Sequence, residues 1–244
     1  MLDPALLAFA LLVFASFTIQ TVVGFGSTLL CVTIGSHLLP MRDVVALAVP
    51  LSFLQTGYVV LRHRDGIRWR MLLVRILPLM LLGVAGGYLA AREEPGEWLR
   101  IAFAAMVTFL AARELYRVVR TPDDTGPLHP ALSSLMMLIA GIIHGIYASG
   151  GPPLVYAVGR ELPKRELRST LAVVWLVLDG VLAVTFFVDG RYHEGTTRAL
   201  PWVLVAMPLG LMLGEVLHHR VPEQRFRTAL FVLLLIAGLI LLVR

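Results

Sequence analysis

Two short stretches carry residue types suited to holding a small charged solute in apolar surroundings: Gly24-Phe25-Gly26-Ser27-Thr28 and Ser149-Gly150-Gly151-Pro152-Pro153. Each interrupts a long apolar run with residues that end one helix and begin another. Glycine serves there because it tolerates any backbone conformation, proline because its fixed φ and missing N–H suit a first helical turn. A helix that begins within an apolar region points unpaired N–H groups and the positive end of its dipole at whatever lies before it, which favours an anion. The spacing predicts a short helix over 27–38 after the first break and another from Pro152 through 153–159 after the second. Ser27, Thr28 and Ser149 would add hydroxyl donors, and two such termini would make a buried anion site. The glycines alone also fit a plainer role in tight helix packing. Recurrence of the break at the equivalent place in both halves favours binding.

Other polar residues fall where they could serve such a site. Gln20 and His144 each precede a break, and Tyr147 follows His144 by less than a turn; all three could hydrogen-bond an anionic ligand. A single intramembrane histidine also fits an interhelical bond. Ser52, Gln55 and Thr56, at i, i+3 and i+4, form one polar stripe on a helix. Their counterparts in the other half include Trp175 and Asp179, four residues apart and so on one face. An ionisable residue at the middle of an apolar span is by default a functional hypothesis. Asp179 is the candidate for proton coupling, with a protonated helix–helix bond as the structural alternative.

The elements that must position these residues follow from composition. The 244-residue chain is 58% hydrophobic and 15% charged, with a mean hydropathy of +0.81. These values lie outside the range of soluble domains and indicate a polytopic membrane protein. Apolar runs at about 5–22, 44–61, 71–90, 99–118, 131–147, 167–188, 197–217 and 227–243 mostly reach the length of a transmembrane helix. The fold class is therefore all α. The first run has no preceding Lys or Arg and no small-residue cleavage pattern, so it does not read as a cleaved signal peptide. Cys31 is the only cysteine and cannot form an internal disulfide. The net charge of +5 lies in short loops between spans, where it sets membrane orientation and gives no indication of nucleic acid.

The chain also matches itself. Gly26-Ser27-Thr28-Leu29 aligns with Gly151-Pro152-Pro153-Leu154, and Pro40, Arg42 and Asp43 with Pro163, Arg165 and Glu166. Further on, Gly57 falls on Gly180, Gly83 and Gly87 on Gly210 and Gly214, and Pro95, Leu99 and Arg100 on Pro222, Phe226 and Arg227, at shifts between 123 and 127. The expected organisation is a first membrane repeat over 1–120, a breaker-rich cytoplasmic linker at 121–130 and a second repeat over 131–244, together one transmembrane domain.

If residues 5–39 and their counterpart each crossed the membrane once, Lys and Arg would divide evenly between its two sides, with Arg75 set aside inside a span. If each instead folds back at its glycines, fourteen cations, among them Arg62, Arg64, Arg68, Arg160, Lys164, Arg165 and Arg168, share one side against six on the other. The positive-inside rule makes that side cytoplasmic and leaves both termini outside. Each half is then a broken hairpin plus three crossings, an odd number, so the second is inverted. Inverted repeats with interrupted helices point to transport. A turn at mid-depth would leave 5–22 as a long hairpin arm.

Arg75 is expected to snorkel to the headgroups; Glu215, near His218 and His219, reads as interfacial. Trp69, Trp98 and Trp202 fall at span ends, and the paired glycines 83/87 and 210/214 suit close packing of helices. Metalloprotease, CxxC, P-loop and full dinucleotide-binding signatures are missing, so neither an enzyme, a metal site nor a cofactor is expected.

The Gly24-Phe25-Gly26 break, the Gly150-Gly151-Pro152 break and the two-half layout resemble the TauE/SafE family of sulfite exporter-like permeases over nearly the whole chain. The resemblance implies a bacterial inner-membrane carrier for sulfite, sulfoacetate, another organosulfonate or a related small anion. The substrate-binding set is then Gln20, Gly24, Phe25, Gly26, Ser27, Thr28, Gln55, His144, Tyr147, Ser149, Gly150, Gly151, Pro152 and Trp175, with Asp179 for the proton. Expected partners are the anion and the bilayer, and a homodimer is left open. An anion channel is the alternative. Pro152-Pro153 opposite Ser27-Thr28, and Asp179 opposite Thr56, suggest that the halves contribute unequally.

Overall fold

The computed structural model describes residues 4–90, 97–120 and 126–243, and every long element among them is a helix. In chain order these are α1 (Pro4–Val23), α2 (Ser27–Gly35), α3 (Met41–His63), α4 (Trp69–Ala90), α5 (Glu97–Arg120), α6 (Pro130–Tyr147), α7 (Gly151–Val158), α8 (Lys164–Val188), α9 (Glu194–Arg220) and α10 (Glu223–Val243). Six of them, α1, α3, α4, α6, α8 and α9, are long and apolar enough to cross a bilayer. The runs at 99–118 and 227–243 also fold as helices, α5 and α10. Large apolar side chains such as Leu61 (82% exposed) and Val188 (78%) face outward, as hydrocarbon permits and water would penalise. The molecule is an all-α polytopic membrane protein.

Pro95 and linker residues 121–125 lie outside the described residues, as do the side chains of Trp98, Leu99, Arg100, Phe226 and Arg227. Residues 126–129 precede α6, whose first turn opens at Pro130 with the His129 side chain accepting from the Ala131 N–H at 3.3 Å.

The helices sort into two compact units, one from Met1–Arg68 and Arg168–Arg220, the other from Trp69–Leu167 and Val221–Arg244. In the first unit the most extensive packing is α1 along α9; in the second it is α4 along α6, then α5 along α10. The glycine pairs make the two tightest of these contacts. A Cβ on Gly210 of α9 would press on the Phe14 carbonyl oxygen of α1, and one on Gly214 would meet the Thr18 carbonyl oxygen at 2.8 Å. In the other unit a Cβ on Gly83 of α4 would press on the Leu138 carbonyl of α6, and one on Gly87 on that of Ile142. Leu138 and Ile142 each stand 124 residues beyond Phe14 and Thr18; Gly210 and Gly214 stand 127 beyond Gly83 and Gly87. Backbones this close leave no room for any side chain, so glycine is required at all four positions.

A reciprocal contact joins α3 and α8 within the first unit. A Cβ on Gly57 would touch Leu176 at 3.6 Å, and one on Gly180 would touch Phe53 at 3.1 Å. Gly57 and Gly180 are 123 residues apart, and so are Phe53 and Leu176.

Both broken segments fold back on themselves. Gly35, at the end of α2, lies against Phe9 and Leu12 of α1. The Ser133 hydroxyl in the first turn of α6 donates to the Ala157 carbonyl at the end of α7, at 3.1 Å. The first hairpin is lopsided: α1 has 20 residues and α2 has 9, about 30 Å against 13 Å at a rise of about 1.5 Å per residue. The expected helix over 27–38 stops at Gly35, because Ser36 through Leu39 enter tight turns, with His37 N–H bonded to Ile34 O at 3.1 Å and Leu38 N–H to Gly35 O at 2.8 Å.

Arg75 corrects an expectation. It sits in a π-helical turn of α4, Leu72–Ile76, and does not snorkel outward. Its guanidinium donates to the Glu161 carboxylate and the Ser133 hydroxyl, each at 2.8 Å. A carboxylate within reach outcompetes the headgroup region for a guanidinium, because the paired hydrogen bond is charge-assisted and directional.

Candidate functional site

At the first break the backbone dictates the residue types. Gly24 has φ 94° and Gly26 φ 108°, values that an L side chain resists and glycine adopts freely. The Gly24 N–H closes α1 on the Gln20 carbonyl at 2.7 Å, and Gly24 is hemmed in from outside, since a Cβ there would meet the Arg168 Cα at 3.1 Å. The Gly24 carbonyl accepts from the Trp175 indole N–H at 2.9 Å, so the break and the expected aromatic on α8 meet. Phe25, Ser27 and Thr28 are all buried.

The start of α2 is already occupied by a side chain of the same unit. The Gln20 amide oxygen accepts from the Ser27 backbone N–H at 3.1 Å and from the Ser27 hydroxyl. Its amide nitrogen donates to the Ser52 hydroxyl of α3 at 3.1 Å. Gln20 thus puts a neutral acceptor on donors that an anion would take at a helix N-terminus. The α3 stripe supports the same wall. Gln55 donates to the Phe17 carbonyl at 2.9 Å and to the Thr21 hydroxyl, and Thr56 donates to the Ser52 carbonyl at 2.7 Å. The Gln55 amide oxygen, fully buried, has no hydrogen-bond partner among the described residues.

The second break, in the other unit, turns differently. α6 ends at Tyr147, and Ala148 takes a left-handed conformation at φ 51°, its N–H bonded to the His144 carbonyl at 2.7 Å. Gly150 has an ordinary φ of −73°, but a Cβ on it would press on the Ala140 carbonyl and approach His144 Cβ at 3.0 Å. α7 opens at Gly151 with Pro152 and Pro153 in its first turn, where no N–H is needed. His144 is buried and Tyr147 half-buried; the buried Ser149 hydroxyl has no partner among the described residues.

Asp179 is buried about three turns along α8 from Arg168, with Trp175 between them. Offsets of 7 and 11 residues from Arg168 put all three on one stripe of the helix. Arg168 and Glu215 correct their sequence-based assignments. Arg168, grouped among loop cations, is 2% exposed within α8 and ion-paired with Glu215 of α9. The carboxylate read as interfacial turns inward because this buried guanidinium requires a counter-charge. Its second oxygen lies 3.2 Å from His63 Nε2 at the end of α3 and 3.9 Å from His219 Nε2. His218 meets the Val22 carbonyl at 2.9 Å. Their grouping depends on the contact of α8 with the Gly24 turn, which no local periodicity announces; the stripe shared by Arg168, Trp175 and Asp179 was the available signal.

Comparison with known proteins agrees with this architecture. The family model described as Sulfite exporter TauE/SafE matches residues 8–241. A Comamonas testosteroni protein named "Probable inner membrane transporter protein TsaS" is 30% identical over 201 residues, covering 80% of each chain. No solved structure matches.

Proposed function

This chain belongs to the sulfite exporter TauE/SafE family of membrane transporters, and from that membership we propose that it is a secondary carrier for a small sulfur-containing anion. Sulfite, sulfoacetate and other organosulfonates are the candidate substrates, and the bacterial inner membrane is the location, in line with the name of its relative. The observation that carries the reading is the start of α2, where the Gln20 amide oxygen stands on the Ser27 N–H and hydroxyl. An anionic oxygen is a stronger acceptor than a neutral amide, so it displaces the Gln20 carbonyl, and a rotated Gln20 amide can then donate to it. At the second break Ser149 and His144 supply polar groups beside the α7 start.

Alternating access is the mode of transport expected of two related halves. It is supported by the recurring glycine contacts at Phe14/Thr18 and Leu138/Ile142 and by the reciprocal pair Gly57–Leu176 and Gly180–Phe53. Inverted orientation of the halves, with both termini outside, fits the distribution of Lys and Arg. Asp179, buried on α8, is the proton-coupling group in this scheme. The Asp179→Asn variant is then expected to fold and exchange substrate but to lose flux driven by a pH gradient; unchanged pH dependence would sink that assignment.

Purified protein in proteoliposomes tests the whole reading. Saturable counterflow of sulfite, sulfoacetate or taurine is expected. Conductance to simple anions without counterflow would establish the channel alternative instead.

A further inference from the structure

We propose that Arg168 is the cation that binds the substrate's anionic group, and that Glu215 is an internal competitor occupying it between substrates. This rests on the carrier reading above. Arg168 is 2% exposed and its Cα lies against the Gly24 turn, so it belongs to the wall of the first break. Only one of its nitrogens, an Nη, is engaged by the Glu215 carboxylate. Its Nε–H is buried and has no hydrogen-bond partner among the described residues. A guanidinium presents its Nε–H and one Nη–H as a parallel fork that fits two oxygens of one oxyanion. The Glu215 contact leaves that fork half-filled. A sulfonate or sulfite, with oxygens on a tetrahedral or pyramidal sulfur, can take both positions.

Glu215 has somewhere else to go. Its other oxygen is 3.2 Å from His63 and 3.9 Å from His219. When Arg168 turns to the anion, the carboxylate stays paired with the His63 imidazole. The ionisable groups beside Glu215 are Arg168 from α8, His63 from α3 and His219 from α9 itself; Tyr58 of α3 acts on Arg168, and α1 carries no ionisable residue. Protonating His63 gives Glu215 a second cation to pair with and so weakens its hold on Arg168. Lower pH therefore favours the anion through His63. Glu215 sets affinity in this scheme, and Asp179 remains the transported-proton candidate, so the two roles are separable.

The test uses the full chain in proteoliposomes with ethanesulfonate, which stays ionised across a range of about pH 5 to 8, alongside sulfite and sulfoacetate. In the wild type KM for ethanesulfonate is expected to fall as pH falls. The Glu215→Gln variant is expected to show a KM at neutral pH about tenfold lower, equivalent to one decade of affinity, with a flattened pH profile. Ethanesulfonate is also expected to raise its Tm more than that of the wild type. The Arg168→Lys variant, which keeps the charge but loses the fork, is expected to raise KM by tenfold or more. A purely structural ion pair predicts the reverse for Glu215→Gln: lower stability with KM and pH profile unchanged. That result overturns the proposal even if Arg168→Lys does not fold. A wild-type protein that moves none of the three anions overturns the carrier reading and this proposal together.

Discussion

The first break turns on two glycines in left-handed conformations, Gly24 and Gly26, and its second helix starts on donors already taken by Gln20. The second turns on Ala148, an L residue at φ 51°, enters its helix through Pro152 and Pro153, and leaves the Ser149 hydroxyl without a partner among the described residues. The same fold-back is thus reached once through backbone freedom plus a side-chain cap, and once through preorganised prolines with no cap. The first break has the means to exchange one acceptor for another, whereas the second has a fixed shape. In a carrier, this division assigns recognition chiefly to the Gln20 side and scaffolding to the proline side.

The largest expected effect separates the two by the reason each glycine is needed. Gly24→Val is expected to destabilise the protein by roughly 2–3 kcal/mol, because a β-branched residue resists positive φ and its Cβ meets the Arg168 backbone. Gly24→Asn, which tolerates the left-handed region, should recover about 1 kcal/mol of that. At Gly150 the obstacle is the Ala140 carbonyl and φ is ordinary, so Asn and Val should be equally damaging there. Thermal unfolding in detergent measures all four variants, and a milder Asn at both sites would erase the contrast.

A smaller effect compares the polar groups. Gln20→Leu strips the Ser27 N–H, the Ser27 hydroxyl and the Ser52 hydroxyl of a partner at once, a loss of about 1–2 kcal/mol. Ser149→Ala removes a hydroxyl that bonds nothing described and should change stability by less than about 0.5 kcal/mol. Equal losses in the two variants would mean that the breaks are alike after all. A further small effect is a gain: Ala148→Gly relieves a left-handed L residue, by about 1–2 kcal/mol, against the added freedom of the unfolded chain, about 0.4–1 kcal/mol. A rise in stability of about 0.5 kcal/mol should follow, and a fall would mean that Ala148 is held by packing of its methyl group.

Much of this was legible in the sequence. Period, length and apolarity place the helices, because lipid imposes one composition on every spanning segment. The breaks at 24–28 and 149–153 are legible because glycine and proline act locally, and the glycine pairs because a backbone contact admits no other residue. Trp175, expected to share a face of α8 with Asp179, meets the first break through its bond to the Gly24 carbonyl. Arg168, Glu215 and Arg75 were misjudged for one physical reason. Near a helix end, a charge facing headgroups and a charge facing a counter-ion on another helix look alike in sequence. Only the tertiary partner, Glu215, Arg168 or Glu161, decides between them. The bond of Gln20 to the start of α2 is not legible in the sequence, since it depends on how α2 returns along α1.

The interleaving of the two compact units bears on how the chain is made. α1 leaves the ribosome long before Gly210 and Gly214 of α9, its glycine-lined partner, which follow roughly 190 residues later. At synthesis rates of roughly 5–20 residues per second that is a wait of about 10–40 s. α4 meets α6 after about 60 residues, in about 3–12 s. During the longer interval the side of α1 that bears Thr18 and Thr21 stands in the membrane without α9, whose Gly214 finally lies against it. The N-terminal helices must therefore be sheltered by the insertion machinery or by one another until nearly the whole chain has emerged, and nascent chains stalled before residue 210 should be the form most readily cleared by membrane proteases.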